Sequence, residues 1–118
     1  MISKEVLELK KELLEDMLDY IADDLDEEYY SKKDVKTCDK LIQKFIKDLE
    51  QLSSASMETV QPVVKDFVLS LNNLNDKCAY NLIETDQREM LCELVFLSVK
   101  DTIGDFGDID LTEEWRDW

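Results

Sequence analysis

Residues 86–103, DQREMLCELVFLSVKDTI, decide the fold. At about 100° per residue, Met90, Leu91, Cys92, Leu94, Val95, Leu97, Val99 and Ile103 point nearly all round a helix axis. Only a narrow line through Glu89, Glu93 and Lys100 stays polar. A helix that is apolar nearly all round is buried by its neighbours, so the spacing predicts a central helix with the other helices packed about it. Thr85 is expected to cap its start, with Asp86 at the positive end of the helix dipole. Gly104 is expected to end it in the left-handed conformation.

The segments outside this stretch are one-sided. Ser3 begins a helix predicted to run to about Ala22, with Val6, Leu7, Leu9, Leu13, Leu14, Met17, Leu18, Tyr20 and Ile21 in one apolar stripe. Lys10 intrudes on that stripe and must snorkel or sit at its edge. A second helix starts at Ser31, with Asp34 three residues on as a variant of the capping box. Val35, Cys38, Leu41, Ile42, Phe45, Ile46, Leu49 and Leu52 form its apolar face, and Lys33, Lys36, Lys40, Lys44 and Lys47 its outer one. The run Ser53–Ser56 reads as a turn. A third helix is expected from near Thr59, which places Pro62 in the first turn, where a missing N–H is tolerated. Val60, Val63, Val64, Phe67, Leu71 and Leu74 are its buried face. Asn72, Asn73 and Asn75 are poor helix formers and suggest a bend, with the apolar phase resuming at Cys78 and Leu82 towards Ile83. After Gly104 comes an acidic loop, and Thr112 is expected to cap a last turn, EEWRDW. The prediction is a single all-α domain over residues 1–118: four main helices and a short C-terminal helical turn, with helix 86–103 central.

Composition limits the function. A chain of 118 residues makes one domain with a real core. Two Gly and one Pro are too few for the turns of an all-β fold. The net charge of −15 is unevenly placed: −8 over residues 1–30, +2 over 31–53, −1 over 54–83 and −8 over 84–118. Direct binding to nucleic acid or to an anionic membrane is disfavoured by that charge, and a basic partner is permitted. Cys38, Cys78 and Cys92 each fall on an apolar helix face and read as buried, reduced thiols of a cytosolic protein. With no His and no Cys-x-x-Cys pair, zinc sites of the usual kind are excluded. The N-terminus is charged from Lys4 onward, unlike a signal peptide, and no apolar run is long enough to span a membrane.

The sharpest feature is a line of carboxylates along the first helix: Glu5, Glu8, Glu12, Glu15, Asp16, Asp19 and Asp23. Asp24, Asp26, Glu27 and Glu28 carry the charge into the following loop, and Tyr29 and Tyr30 come next. Like charges at i,i+4 cost roughly 0.2–0.5 kcal/mol per pair in an isolated helix, and natural helices usually intersperse lysines to relieve this. Here Lys4 and Lys11 sit only at the edges. The stripe is roughly 27 Å long, about one charge per 4 Å, close to the roughly 3.4 Å spacing of phosphates along one DNA strand. It reads either as a docking face for a basic protein surface, a nucleic-acid-binding one among the options, or as a solvated face kept acidic for solubility. The lysine stripe of the second helix reads as solvated surface, as a partner for the first helix, or as a contact for an acidic stripe on another molecule. Trp115 and Trp118, three apart, read as anchors of the tail to the core or as exposed aromatic anchors ringed by acids, which suit an interface.

Motifs for chemistry are missing. Asp105, Asp108 and Asp110 fail the calcium-loop pattern from either start, since Gly107 and Ile109 fall where oxygens are needed and Glu113 where a Gly is needed. Asp105-Phe106-Gly107 matches a kinase tripeptide, but the chain has no Gly-rich loop and is far too short. Close carboxylate pairs arise by chance among 29 acids, and no nucleophile or phosphate loop accompanies them. Capping and surface ion pairing account for Glu84, Asp86, Arg88 and Glu89.

At LIETDQREMLCELV (82–95) and DIDLTEEWRDW (108–118) the chain resembles a family of short, acidic, all-helical bacterial proteins of unassigned function. Those proteins end in a similar acidic–Trp tail and carry an EEYY-like turn, here Glu27 to Tyr30. The family has no established catalytic residues to carry over. By size and charge it is similar to bacterial immunity proteins, which neutralise a toxin of the same or a neighbouring cell. The resulting expectation is a non-catalytic cytoplasmic protein without a cofactor that binds a basic protein surface, such as a toxin or nuclease. The alternative is a structural or regulatory module that pairs with itself as a homodimer, lysine stripe against acidic stripe.

Overall fold

The computed structural model describes residues 3–23 and 30–118, with side chains for 3–19 and 30–118. Four helices and no strand lie among them: α1 (Lys4–Asp23), α2 (Lys32–Glu50), α3 (Met57–Lys77) and α4 (Thr85–Ile103). The predicted all-α bundle of four main helices is the fold. A single helical turn near the C-terminus follows, in which Thr112 accepts from the N–H of Trp115 at 3.1 Å and of Arg116 at 2.9 Å.

The helices run in antiparallel sequence, α1 beside α2 and α4, α3 beside α2 and α4, so that α1 and α3 are diagonal. Both α2 and α4 pack against all three other helices. Their side chains fill one core: Val6, Leu13 and Met17 of α1, Cys38, Ile42, Phe45 and Leu49 of α2, Val60, Val64, Phe67 and Leu71 of α3, and Leu91, Leu94, Val95 and Val99 of α4. Phe45 and Phe67 stack with ring centroids 4.5 Å apart and planes 13° from parallel, locking α2 to α3.

Helix α4 is not enclosed by helices alone. Leu91, Leu94, Val95, Ser98 and Val99 are buried in the bundle, whereas Cys92 and Phe96, on the other side, are half-buried. The tail after Gly104 covers that side, with Phe106 against Phe96 at 5.1 Å between ring centroids. The near-uniform apolarity of α4 thus has two sources, bundle and tail.

Several local boundaries differ from the sequence expectation. Glu84, not Thr85, is the N-cap of α4, and its backbone N–H donates to Gln87 Oε1 at 3.0 Å. Helix α3 starts two residues early because Ser56 caps it: Thr59 N–H donates to Ser56 Oγ at 3.3 Å, and Thr59 Oγ1 accepts from Ser56 N–H at 2.9 Å. Pro62 therefore lies inside the helix rather than in its first turn, and the Glu58 carbonyl forgoes the partner a non-proline residue would provide. Ser31 caps α2 as expected, with Asp34 accepting from its backbone N–H at 3.0 Å. Gly104 ends α4 as expected, but at φ 87 and ψ −171, an extended positive-φ conformation open essentially to glycine alone, and not the left-handed helical one.

The predicted continuation of α3 to Ile83 fails at Lys77. Tyr80 N–H donates to the Asn75 carbonyl at 2.8 Å and Ala79 N–H to the Asp76 carbonyl at 3.1 Å, the paired closing bonds of a Schellman motif. Ala79 (φ 53) and Tyr80 (φ 61) are left-handed without being glycine, which hides the stop from a reading that looks for Gly. No bend interrupts the helix assignment at the asparagines. Buried Asn75 instead turns its Oδ1 to accept from Ile83 N–H at 3.0 Å, bracing the connection that places Leu82 and Ile83 in the core. Asn75→Ala should strand that N–H and cost about 1–3 kcal/mol; chemical denaturation measures it, and an unchanged midpoint would show that the turn holds without the amide.

Candidate docking faces

Carboxylates dominate the outer side of α1. Glu5, Glu8, Glu12, Glu15 and Asp19 are exposed. Lys4 Nζ lies 3.9 Å from Glu8 at the helix start, an exposed pair of small energetic consequence. Asp16, read from sequence as part of the stripe, is half-buried and accepts from Gln87 Nε2 at 2.6 Å, so it stitches α1 to α4. The far end of the same seam is tied by Ser3 N–H donating to Asp101 Oδ2 at 2.9 Å. The side chain of Asp23 and all of Asp24, Asp26, Glu27, Glu28 and Tyr29 lie outside the described residues. Tyr30 is buried, 6% exposed, and its hydroxyl donates to the Met17 carbonyl at 3.0 Å.

The packing of α1 on α4 has an electrostatic consequence. Helices α1 and α4, which belong to the two sequence regions of net charge −8, are distant in the chain but pack against each other. Asp86, Glu89, Glu93 and Asp101 of α4 are exposed, like the acids of α1 beside them. Together they form a mainly acidic wall on two helices, broken by exposed Lys4, Lys11 and Lys100, whereas Lys33, Lys36, Lys40, Lys44 and Lys47 are all exposed on α2.

At the α1–α2 boundary Lys10 resolves its intrusion by pairing with Asp39, Nζ to Oδ1 3.1 Å, both partly shielded. The two charges meet without a well-aligned hydrogen bond, since Oδ1 has no such partner. Above this pair runs a cleft of about 530 Å³ floored by Leu14, Leu18 and Val35 and rimmed by Lys32 and Lys36. Leu7 and Leu18, assigned from periodicity to the buried stripe, are 49% and 38% exposed. They sit where the stripe is wider than the contact α2 makes with it.

The tail is clamped rather than free. Asn72 Nδ2 donates to the Trp115 carbonyl at 2.8 Å, and its Oδ1 accepts from Asp117 N–H at 3.2 Å. Asp110 Oδ1 accepts from Thr112 N–H at 2.9 Å and from the Thr112 hydroxyl at 2.6 Å, while Arg116 Nη2 lies 3.3 Å from Oδ2. Thr112 is buried, and its hydroxyl faces Asp110 and Cys92 instead of capping the turn through its own oxygen. Burial pushes the Asp110 carboxyl up, but the bonds from Thr112 and the Arg116 guanidinium outweigh it and hold the group below its ordinary value. Trp115 and Trp118 are half-buried against the core, and the Arg116 guanidinium stands 5.9 Å from the centroid of the Trp118 ring. A cleft of about 350 Å³ remains between tail and α4, lined by Cys92, Phe96, Ile109 and Leu111 among others.

Burial first, then the neighbouring Asp39, pushes the Cys38 thiol to about 12. Burial and Asp34 push Cys78 to about 11, and burial raises Cys92 as well. None of the three is a thiolate at neutral pH, the form that nucleophilic chemistry requires. Among the described residues no group of three or more Cys, Asp or Glu side chains is disposed to hold a metal ion. No described helix is long and apolar enough to cross a membrane.

No family model matches the chain, and no curated protein or solved structure matches it. Asn72 and Asn75, whose weak helix propensity predicts a bend, instead brace the tail and the connection to α4. Their spacing of three, on one helix face just before a chain reversal, is the signal that points to side-chain bracing rather than a bend.

Proposed function

We propose that this protein is a non-catalytic binding protein that docks a basic protein surface on the acidic wall of α1 and α4, and inhibits that partner by covering its charged working surface. The observation that carries this reading is the packing of α1 against α4, which sets exposed Glu5, Glu8, Glu12, Glu15 and Asp19 on a helix beside exposed Asp86, Glu89, Glu93 and Asp101, while the exposed lysine line lies on α2. An accumulation of like charge on rigid helices costs self-repulsion. A cationic partner offsets that cost and is steered to the wall by it. A toxin or nuclease that itself grips phosphates presents the matching surface. The resemblance to short acidic bacterial proteins and the immunity-protein analogy point the same way, and cytoplasmic residence is part of the proposal.

The test replaces Glu8, Glu12 and Glu15 with Gln and Asp19 with Asn in one variant. All four are exposed, so thermal stability should hold or rise slightly as repulsion is relieved. The partner is first captured from the source cell at low salt. Association of the variant with it should slow by about tenfold or more, with a flatter salt dependence, because steering follows summed charge. Binding as fast and as tight as the unmodified chain would reduce the stripe to solvated surface.

A further inference from the structure

The tail after α4 is fastened at two points and stands off the helix between them. Phe106 packs on Phe96 at 5.1 Å between ring centroids, and the Thr112 hydroxyl lies 3.5 Å from Cys92 Sγ. Between these fastenings lies the cleft of about 350 Å³, within the roughly 300–1,000 Å³ usual for ligand sites. Its apolar walls are Cys92 and Phe96 on α4 and Ile109 and Leu111 on the tail. Ile109 is 54% exposed, although the chain on either side of it is held. Every charge lining the cleft is a carboxylate: Glu93, Asp108 and Asp110. Asp110 is already engaged by Thr112 and Arg116, which leaves Glu93 and Asp108, both exposed. Residues 105–114 of the tail contain five acids and no base. On α4, Arg88 and Lys100 stand one turn beyond Cys92 and Phe96 and do not line the cleft.

We propose that this cleft takes the side chain of one arginine from the basic partner. This rests on the wall of α1 and α4 as the docking face, and Glu93 belongs to both wall and cleft. Summed charge speeds encounter, but affinity at an interface comes from a few anchors seated in pockets, arginine prominent among them. The chemistry of the lining selects arginine. Its apolar stem suits the Phe96, Ile109 and Leu111 walls, and its cationic end meets Glu93 and Asp108. A guanidinium is less tightly hydrated than an ammonium and offers a carboxylate two donors at once, so it enters a half-apolar cleft more readily than lysine does. The fastenings at Phe106 and Thr112 shape the cleft before the partner arrives, so little ordering is needed on binding. The larger cleft between α1 and α2 does not have this charge, because Lys32 and Lys36 stand there beside Asp19.

The test needs no partner. N-acetyl-arginine amide is titrated into the isotope-labelled full chain and followed by amide chemical shifts, beside N-acetyl-lysine amide and N-acetyl-citrulline amide, the last uncharged and nearly the same shape as arginine. Arginine should produce saturable shifts centred on residues 92–96 and 108–111, with a Kd on the order of millimolar for a ligand of that size. Citrulline should bind about tenfold more weakly, since charge-assisted hydrogen bonds are lost, and lysine should fall between the two. Glu93→Gln with Asp108→Asn should weaken arginine binding about tenfold for the same reason. Ile109→Ser should weaken it as well. Helical circular dichroism should be unchanged in both, because all three side chains are exposed. The α1 variant at Glu8, Glu12, Glu15 and Asp19 should bind arginine as the unmodified chain does. Shifts that do not saturate, citrulline or lysine equal to arginine, or undiminished binding by the Glu93→Gln, Asp108→Asn variant each overturns the anchor. Arginine binding lost in the α1 variant also overturns it, because the probe then reports summed charge rather than the cleft. The wall stands or falls separately, on the rate at which that α1 variant associates with the partner.

Discussion

Leu94→Ala should lower the free energy of unfolding by about 2–5 kcal/mol, the span for removing a fully buried leucine and leaving a cavity. Leu94 is 0% exposed and belongs to the face of α4 that meets the bundle. The loss should stand at the upper end of that span if the site cannot collapse, and two features oppose collapse. Helix α4 touches all three other helices, so it cannot shift towards one without opening a gap to another. Its opposite side is held by the tail through Phe106 and Thr112. Lys40→Ala, an exposed position on α2, should change stability by no more than about 0.5 kcal/mol. Denaturant titration of the two variants side by side provides the comparison. Midpoints that coincide would mean that Leu94 does not face the core.

Phe45→Ala should cost about 3–5 kcal/mol. Phe45 is 2% exposed and lies over Phe67, itself 4% exposed, at the centre of the α2–α3 contact. Transfer of the ring from water accounts for most of that loss. The ring–ring contact adds about 0.5–1.5 kcal/mol beyond area burial, and a double-mutant cycle with Phe67→Ala isolates it. Additive losses would assign the whole effect to burial and none to stacking. This pair holds α2 to α3.

The existence of the helices was legible in the sequence for a physical reason. Helical periodicity places every third or fourth residue on one face, and burial of that face supplies most of a helix's stability in a protein. The α2 pattern from Val35 to Leu49 is buried at every position except Leu41, which is half-buried. Capping is equally local: Ser31 and Asp34 act within one turn, and so does Gly104. Unconventional local signals are not legible in this way. Ala79 occupies a left-handed position usually held by glycine, which hides the end of α3, and the bracing roles of Asn72 and Asn75 are hidden because their partners, Trp115, Asp117 and Ile83, lie further along the chain.

By itself, the sequence determined four helices, their faces, the carboxylate line on α1 and the lysine line on α2, because each depends on residues within a few turns of one another. The tertiary structure alone decided which helices are neighbours. Periodicity states that a face is buried and is silent about what buries it, since any apolar face satisfies any other at similar gain in free energy. Packing chose α1 against α4, and so set the exposed acids of two helices distant in the chain side by side. Packing also decided that Asp16 serves Gln87 rather than solvent, that Tyr30 is core, and that Leu7 and Leu18 are left in the open. The reason is geometric: a stripe on one helix can be wider than the contact its neighbour makes with it, and only the placed neighbour shows how much is left over.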